Sequence, residues 1–272
     1  MLEQIAIRTD PIVYFVVLFP LSLGVLYLGY RYGTRAGAHA DEKAGWAFSV
    51  GQAAIFGLIA LILGFSFSFA VGKFETRRSL IVSETDAVRA AYLRAGFLSA
   101  PRARQFRMLL VEYTKTRLQT YASIRVSVAN PRLHQRGDEL QGRLWVLAAG
   151  TARRDPRSPF IADLTRSVIE IIDVAEAQEA ALNNHVPTAV IGIVLLCTLI
   201  GAFLIGLTFG RAKAPHPVLS LLFCLLFAAT DFTIVDLDHP QGGFIALDVA
   251  PLHETLLDMT RRQGWGLIPP SV

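Results

Sequence analysis

Four long apolar runs alternate with charged segments along the chain: Pro11 to Gly33, Gly45 to Gly72, Val186 to Gly210 and Val218 to Val235. A membrane-crossing helix needs about 20 mostly apolar residues, and each run outlasts the core helix of a soluble domain. The pattern therefore predicts four spanning helices in two hairpins. The first run is interrupted only by Pro20 and by Arg31 near its end, and the fourth carries Asp231 in its last turns. Ala38-His39-Ala40 has the small-x-small form of a signal cleavage site. The stretch before it is too long for a signal core, however, and Glu3 and Asp10 outweigh Arg8 ahead of it, so it reads as a retained helix. Short loops and flanks carry Arg31, Arg35, Lys43, Arg211 and Lys213 on one face, against Arg8, Lys73, Arg77 and Arg78 on the other. These counts nearly balance and assign no orientation. Two hairpins do place the N-terminus, the central insert and the C-terminal tail on one side.

Between the hairpins the period changes from continuous apolar to helical amphipathic, with no alternating strand pattern of useful length. The second run has no Gly or Pro between Lys73 and Gly96, so its helix is expected to continue past Lys73, with Ile81, Val88, Ala91, Tyr92 and Ala95 on one face. Ser99 and Pro101 start a second helix that buries Phe106, Leu109, Leu110, Tyr113 and Tyr121. Asn130-Pro131 marks a break before a third helix with Leu133, Leu140, Leu144 and Trp145 inward. Gly150 to Arg157 reads as a loop, and Ser158-Pro159 opens a fourth helix with Phe160, Leu164, Val168, Ile171, Ile172 and Ala175 inward. The predicted fold class is an all-α polytopic membrane protein, four transmembrane helices with a helical-bundle insert between the second and third. Its parts are an N-terminal hairpin (1–72), a water-exposed insert (73–185), a C-terminal hairpin (186–235) and a tail (236–272). In the tail, His239-Pro240-Gln241-Gly242-Gly243 reads as a turn, Phe244 to Val249 alternates weakly, and Leu252, Leu256 and Leu257 mark a short amphipathic helix, expected on the insert or at the membrane surface.

Composition sharpens this division. Only 18% of the 272 residues are charged, below the usual quarter of a soluble domain. Yet 30 of the 48 charged residues lie between Lys73 and His185, where they sum to +6 within a chain of net +4. A basic domain beside a membrane fits anionic headgroups better than nucleic acid, for which no recognition module is present. Cys197 and Cys224 both sit inside apolar runs and form neither a disulfide framework nor a metal pair. Phosphate loops, dinucleotide fingerprints, HExxH and nucleophile elbows are missing, and the six histidines make no i, i+4 pair. The expectation is a protein without catalytic residues, metal or cofactor.

Gly64 to Leu98 (GFSFSFAVGKFETRRSLIVSETDAVRAAYLRAGFL) and Asp236 to Leu247 (DLDHPQGGFIAL) resemble the bestrophin-like family of membrane proteins. Arg77-Arg78, Glu84 and Tyr92-Leu93-Arg94 are its most specific part, and the order of parts agrees over most of the chain. The resemblance implies architectural kinship with bestrophin anion channels, hence an ion-conducting or ion-regulating homo-oligomer, and it brings no catalytic residues. The implied location is the bacterial inner (plasma) membrane, with lipid and inorganic ions as partners.

Several positions are candidates for function. Ala53, Gly57, Ala60, Gly64, Ser68 and Gly72 form a stripe of small residues along one face of the second spanning helix. Such a stripe serves either as a helix-packing seam or as a pore lining. Phe65 and Phe69 invite comparison with the hydrophobic neck that the family resemblance implies, although phenylalanine also faces lipid. Lys73, Arg77, Arg78 and Glu84 fit either a basic ring at a pore mouth or an ion-pair network between helices, with Arg77 and Glu84 seven apart on one face. Asp231, an ionisable residue within a span, is expensive there and marks either structural anchoring near a helix end or a proton or ion role, with Thr230 and Thr233 as hydrogen-bonding neighbours. Gly29-x-x-x-Gly33 and Gly206-x-x-x-Gly210 are further close-approach motifs of a kind that recurs by chance. Glu170, Asp173, Glu176 and Glu179 read as a solvated face or an acidic metal patch. Two alternatives to a channel remain open: a membrane-anchored sensor or scaffold whose insert binds a ligand or partner, and a proton-driven stator or transporter using Asp231.

Overall fold

A computed structural model describes residues 11–36, 42–125, 130–239 and 244–264. The Ala38-His39-Ala40 motif, the charges before Pro11 and the turn residues 240–243 lie outside the described residues. The described residues form, in order, α1 (Pro11–Ala36), α2 (Glu42–Arg94), α3 (Ala100–Arg125), α4 (Pro131–Ala152), α5 (Pro159–Asn183), α6 (Thr188–Arg211), α7 (Pro217–Asp238) and α8 (Ala250–Gly264). A 3-10 turn, Ala95–Phe97, follows α2. No strand occurs among the described residues. Among the described residues four helices are long and apolar enough to cross a membrane: Pro11–Arg35, Gly45–Phe97, Thr188–Arg211 and Pro217–Asp238.

The chain divides into two compact units. The first is built from the described residues within Met1–Phe74, His185–His239 and Gly243–Ile245. Its principal contact is between α1 and α6, and glycine is the reason. A Cβ added at Gly29, Gly33, Gly206 or Gly210 would fall well under 3.0 Å from a backbone carbonyl oxygen of the facing helix: Phe203, Leu207, Leu26 and Tyr30 respectively. Both GxxxG motifs therefore face each other, and backbone touches backbone along two turns of each helix. Between lipid-embedded helices there is no hydrophobic drive to associate, so close approach and dispersion must supply the attraction. Around this seam Leu26, Ala202 and Cys224 form a buried cluster with Phe19, Leu23 and Phe223 against it. A second cluster joins the apolar part of α2 to α6 and α7 through Ile59, Leu63, Val194, Cys197 and Ile234. Thr208 Oγ1 donates to Gln52 Oε1 at 2.9 Å.

The second unit is built from the described residues within Glu75–Asn184, Pro240–Gly242 and Ala246–Val272. Its core is the inward faces of the end of α2, α3, α4 and α5, with Ala91, Phe106, Leu110, Tyr113, Leu140, Leu144, Val168 and Ile171 all essentially inaccessible. Asn130 caps α4 by accepting from the Arg132 backbone N–H at 3.2 Å, ahead of Pro131 in the first turn. The tail helix α8 packs on α3, burying Leu252 and Met259, and Tyr92 donates to the Met259 carbonyl at 3.1 Å. At three places the structure departs from the apolar periodicity. Helix α4 runs on through Gly150 to Ala152, into the stretch Gly150 to Arg157 that reads as a loop, and Thr151 is buried there. Trp145 and Phe160, assigned inward, are 40% and 53% exposed. Phe160 stacks instead on Phe97, with ring centroids 4.5 Å apart.

The α1–α6 seam generates a prediction. Gly206→Ala should destabilise the detergent-solubilised protein by about 1–3 kcal/mol, since the added carbon meets backbone that has no rotamer to yield. Gly192→Ala, on the same helix but with nothing within 4 Å of the new Cβ, should leave the thermal midpoint unchanged or raise it. Equal midpoints for the two variants would refute the seam.

Candidate functional site

Helix α2 has two contrasting faces within the first unit. Ile59, Leu63, Ser66 and Ala70 are buried. Ala53, Gly57, Ala60, Gly64, Ser68 and Gly72, the stripe of small residues, are all exposed on the opposite side. Cβ atoms added at Gly57 and Gly64 would meet nothing within 4 Å. Phe65 and Phe69 lie beside the stripe, 68% and 47% exposed. One turn on, the Lys73 ammonium sits 5.0 Å from the Phe69 ring centroid, a cation–π contact. The outward surface of α2 thus runs from small residues, past two phenylalanines, to a lysine.

Arg77, Arg78 and Glu84 belong to the second unit and take separate roles. Arg77 is buried, its Nε donating to the Ala181 carbonyl at 3.0 Å and its Nη2 to the Asn184 carbonyl at 3.1 Å. It thereby holds the C-terminal carbonyls of α5, where the helix dipole favours a cation. Arg78 is exposed, 3.7 Å from Glu75. Glu84 is fully buried, and its ion-pair partner is Arg117 of α3 rather than Arg77: Nε donates to Oε1 at 2.7 Å. Tyr113 Oη donates to Oε1 at 2.6 Å, and Gln178 Nε2 to Oε2 at 3.0 Å. Tyr121 Oη donates to Gln178 Oε1 at 2.5 Å, and the Arg117 guanidinium also bonds that oxygen. A carboxylate satisfied by a cation and several donors is an acceptable buried charge, whereas either partner alone would not be. Burial works against the charge on Arg117, but Glu84, then the two tyrosines, hold its pKa above the ordinary value. Burial first, and the Glu84 charge second, push the Tyr113 and Tyr121 phenols upward. Tyr113, Arg117 and Tyr121 are spaced by four, one stripe of α3, and that spacing is the sequence signal that points to them.

Asp231 lies in the interior of the first unit, at 0% exposure. Its partner is Thr198 of α6, whose Oγ1 donates to Oδ2 at 2.8 Å. Thr230 and Thr233 instead bond the Leu226 and Ala229 carbonyls of their own helix. Asp236 accepts from the backbone N–H groups of Phe244 and Ile245, each at 2.9 Å. Glu170, Asp173, Glu176 and Glu179 are exposed on α5. Among the described residues no group of three or more His, Cys, Asp or Glu side chains is placed to hold a metal.

Two apolar hairpins separated by a charged helical unit define an integral membrane protein of all-α polytopic class. The family model for the Bestrophin-like domain matches residues 16–252, and the chain belongs to that family. Crystal structures of a bacterial bestrophin homolog from Klebsiella pneumoniae share its fold. Three point mutants of that protein superpose with TM-scores of 0.63, 0.65 and 0.67 at 18%, 19% and 16% identity. The matches cover 93–94% of this chain and 99–100% of the crystallised one. None of the curated proteins compared matches the sequence.

Two measurements probe the Glu84 network. Arg117→Met strands a buried carboxylate and should cost about 3–5 kcal/mol in unfolding experiments. Tyr113 and Tyr121 hold their protons more tightly folded than unfolded, so their contribution is intact below the ordinary phenol value of 10.0 and is lost as pH rises above it. Alkaline denaturation followed by tyrosinate absorbance should show these phenols ionising together with unfolding, and Tyr113→Phe should flatten the stability decline above that pH.

Proposed function

We propose that the protein is an oligomeric ion channel of the bacterial inner membrane, with anions favoured over cations. The observation that carries this reading is the outward face of α2. A face destined only for lipid has no need of six small residues in line. A face that meets other copies around an axis does, because small side chains permit close approach and leave room for ions. Phe65 and Phe69 then supply an apolar constriction of the kind that gates by dewetting. Lys73 raises the local anion concentration beside it. Membership of the Bestrophin-like family supports the same reading.

A second reading, a membrane-anchored sensor, is favoured by a groove of about 770 Å³ between α3 and α4, lined by Arg102, Arg143 and Arg154 around Leu109, Val146 and Leu147. A monomeric protein that recovers one stoichiometric partner would support it over the channel.

Reconstituted in planar bilayers, the wild type should pass current. Phe65→Ala or Phe69→Ala should change conductance or its gating several-fold, and Lys73→Gln should move the reversal potential away from anion selectivity. Silence over a wide range of salts, voltages and pH would reject the channel.

A further inference from the structure

Asp231 brings a formal negative charge into the interior of the four-span unit, seven residues before the end of α7. Thr198 satisfies Oδ2, while Oδ1 has no hydrogen-bond partner. On α1 the hydroxyl of Tyr14 is likewise buried without a partner, within electrostatic reach of the same carboxylate. Phe15 and Phe232 pack edge-on, 6.0 Å between centroids, and fasten α1 to α7 beside these groups. The titratable side chains that interact electrostatically with Asp231 are Tyr14 from α1 and Cys197 from α6, neither a source of positive charge. Among the described residues no Lys, Arg or His pairs with it.

Hydroxyl groups offer Asp231 dipoles but no charge. An ionised carboxylate held in a low-dielectric interior on one hydrogen bond is strongly disfavoured. One positive charge delivered to Oδ1 removes that penalty. We propose that Tyr14, Thr198 and Asp231 form an intramembrane site that takes up a single positive charge, as a proton or a small monovalent cation. A proton would convert the carboxylate to the neutral acid on Oδ1, leaving Oδ2 to accept from Thr198. A cation would meet the hard oxygen Oδ1 of the carboxylate, and the second unpartnered oxygen buried nearby is the Tyr14 hydroxyl; hard oxygen donors suit a hard cation, and sodium is the monovalent probe.

A charge that binds the folded state stabilises it by mass action. Purified protein in detergent is therefore melted at mildly acidic and mildly alkaline pH, in sodium chloride and in choline chloride at equal ionic strength. Infrared carboxyl bands are recorded in parallel. For a proton, the midpoint falls from acidic to alkaline pH in both salts, and a protonated-carboxyl band is lost with it. For a cation, sodium raises the alkaline midpoint above that in choline and shifts a carboxylate band. Asp231→Asn should abolish whichever dependence is seen. Wild-type behaviour identical in all four conditions overturns the proposal, as does a dependence of full size in the Asn variant. If that variant fails to fold, Thr198→Val replaces it: loss of the bond to Oδ2 must move the responsive band, and an unmoved band overturns the assignment. No current is measured, so the outcome stands apart from that of the conduction experiment.

Discussion

Within a bilayer α1 and α6 gain nothing by hiding apolar surface from a solvent that is itself apolar, so they associate only if their backbones can come together. Gly29, Gly33, Gly206 and Gly210 permit that approach, each leaving space that one further carbon would fill with a clash against a carbonyl oxygen. The seam joins the first helix of one hairpin to the first helix of the other. It sets where α6 presents Cys197 and Thr198, and hence where Asp231 of α7 finds its hydrogen bond. It also settles which face of α2 remains outward, since α6 and α7 occupy the side of Ile59 and Leu63.

The second unit depends on a different kind of interaction. Glu84 is a buried charge in a helical core, and its cost is met by Arg117, Tyr113 and Gln178 together. Such a group makes the packing of α2, α3 and α5 mutually dependent, because displacing any one helix strands a charge or a donor. Arg77 acts in the same spirit at the end of α5, where its guanidinium serves the last carbonyls. Both residues occur in the segment that resembles the bestrophin-like family, and both have a structural role in this unit.

The legible parts of the sequence were those governed by local physics. Apolar runs longer than a bilayer core mark spans whatever they pack against, and the unbroken course from Lys73 to Gly96 marks α2 as one helix of 53 residues. Partner choice was less legible. Two GxxxG motifs more than 170 residues apart carry no statement that they meet. Thr230 and Thr233 are neighbours of Asp231 in sequence, yet hydroxyls on a helix reach their own i−4 carbonyls first. Trp145 obeyed helical periodicity and still came to the surface, because periodicity names a face while packing decides how wide the buried part of that face is.

From the amino-acid order alone came the class of protein, the four spans, the charged helical insert and the family resemblance, each set by hydrophobicity, period and motif over short range. The tertiary structure decided the pairings: glycine with glycine across α1 and α6, Glu84 with Arg117, Asp231 with Thr198, and the outward aspect of the α2 stripe. Length and composition determine the solvent of a segment one residue at a time. A hydrogen bond or a backbone contact depends on two distant segments arriving together, and only the folded chain specifies that coincidence.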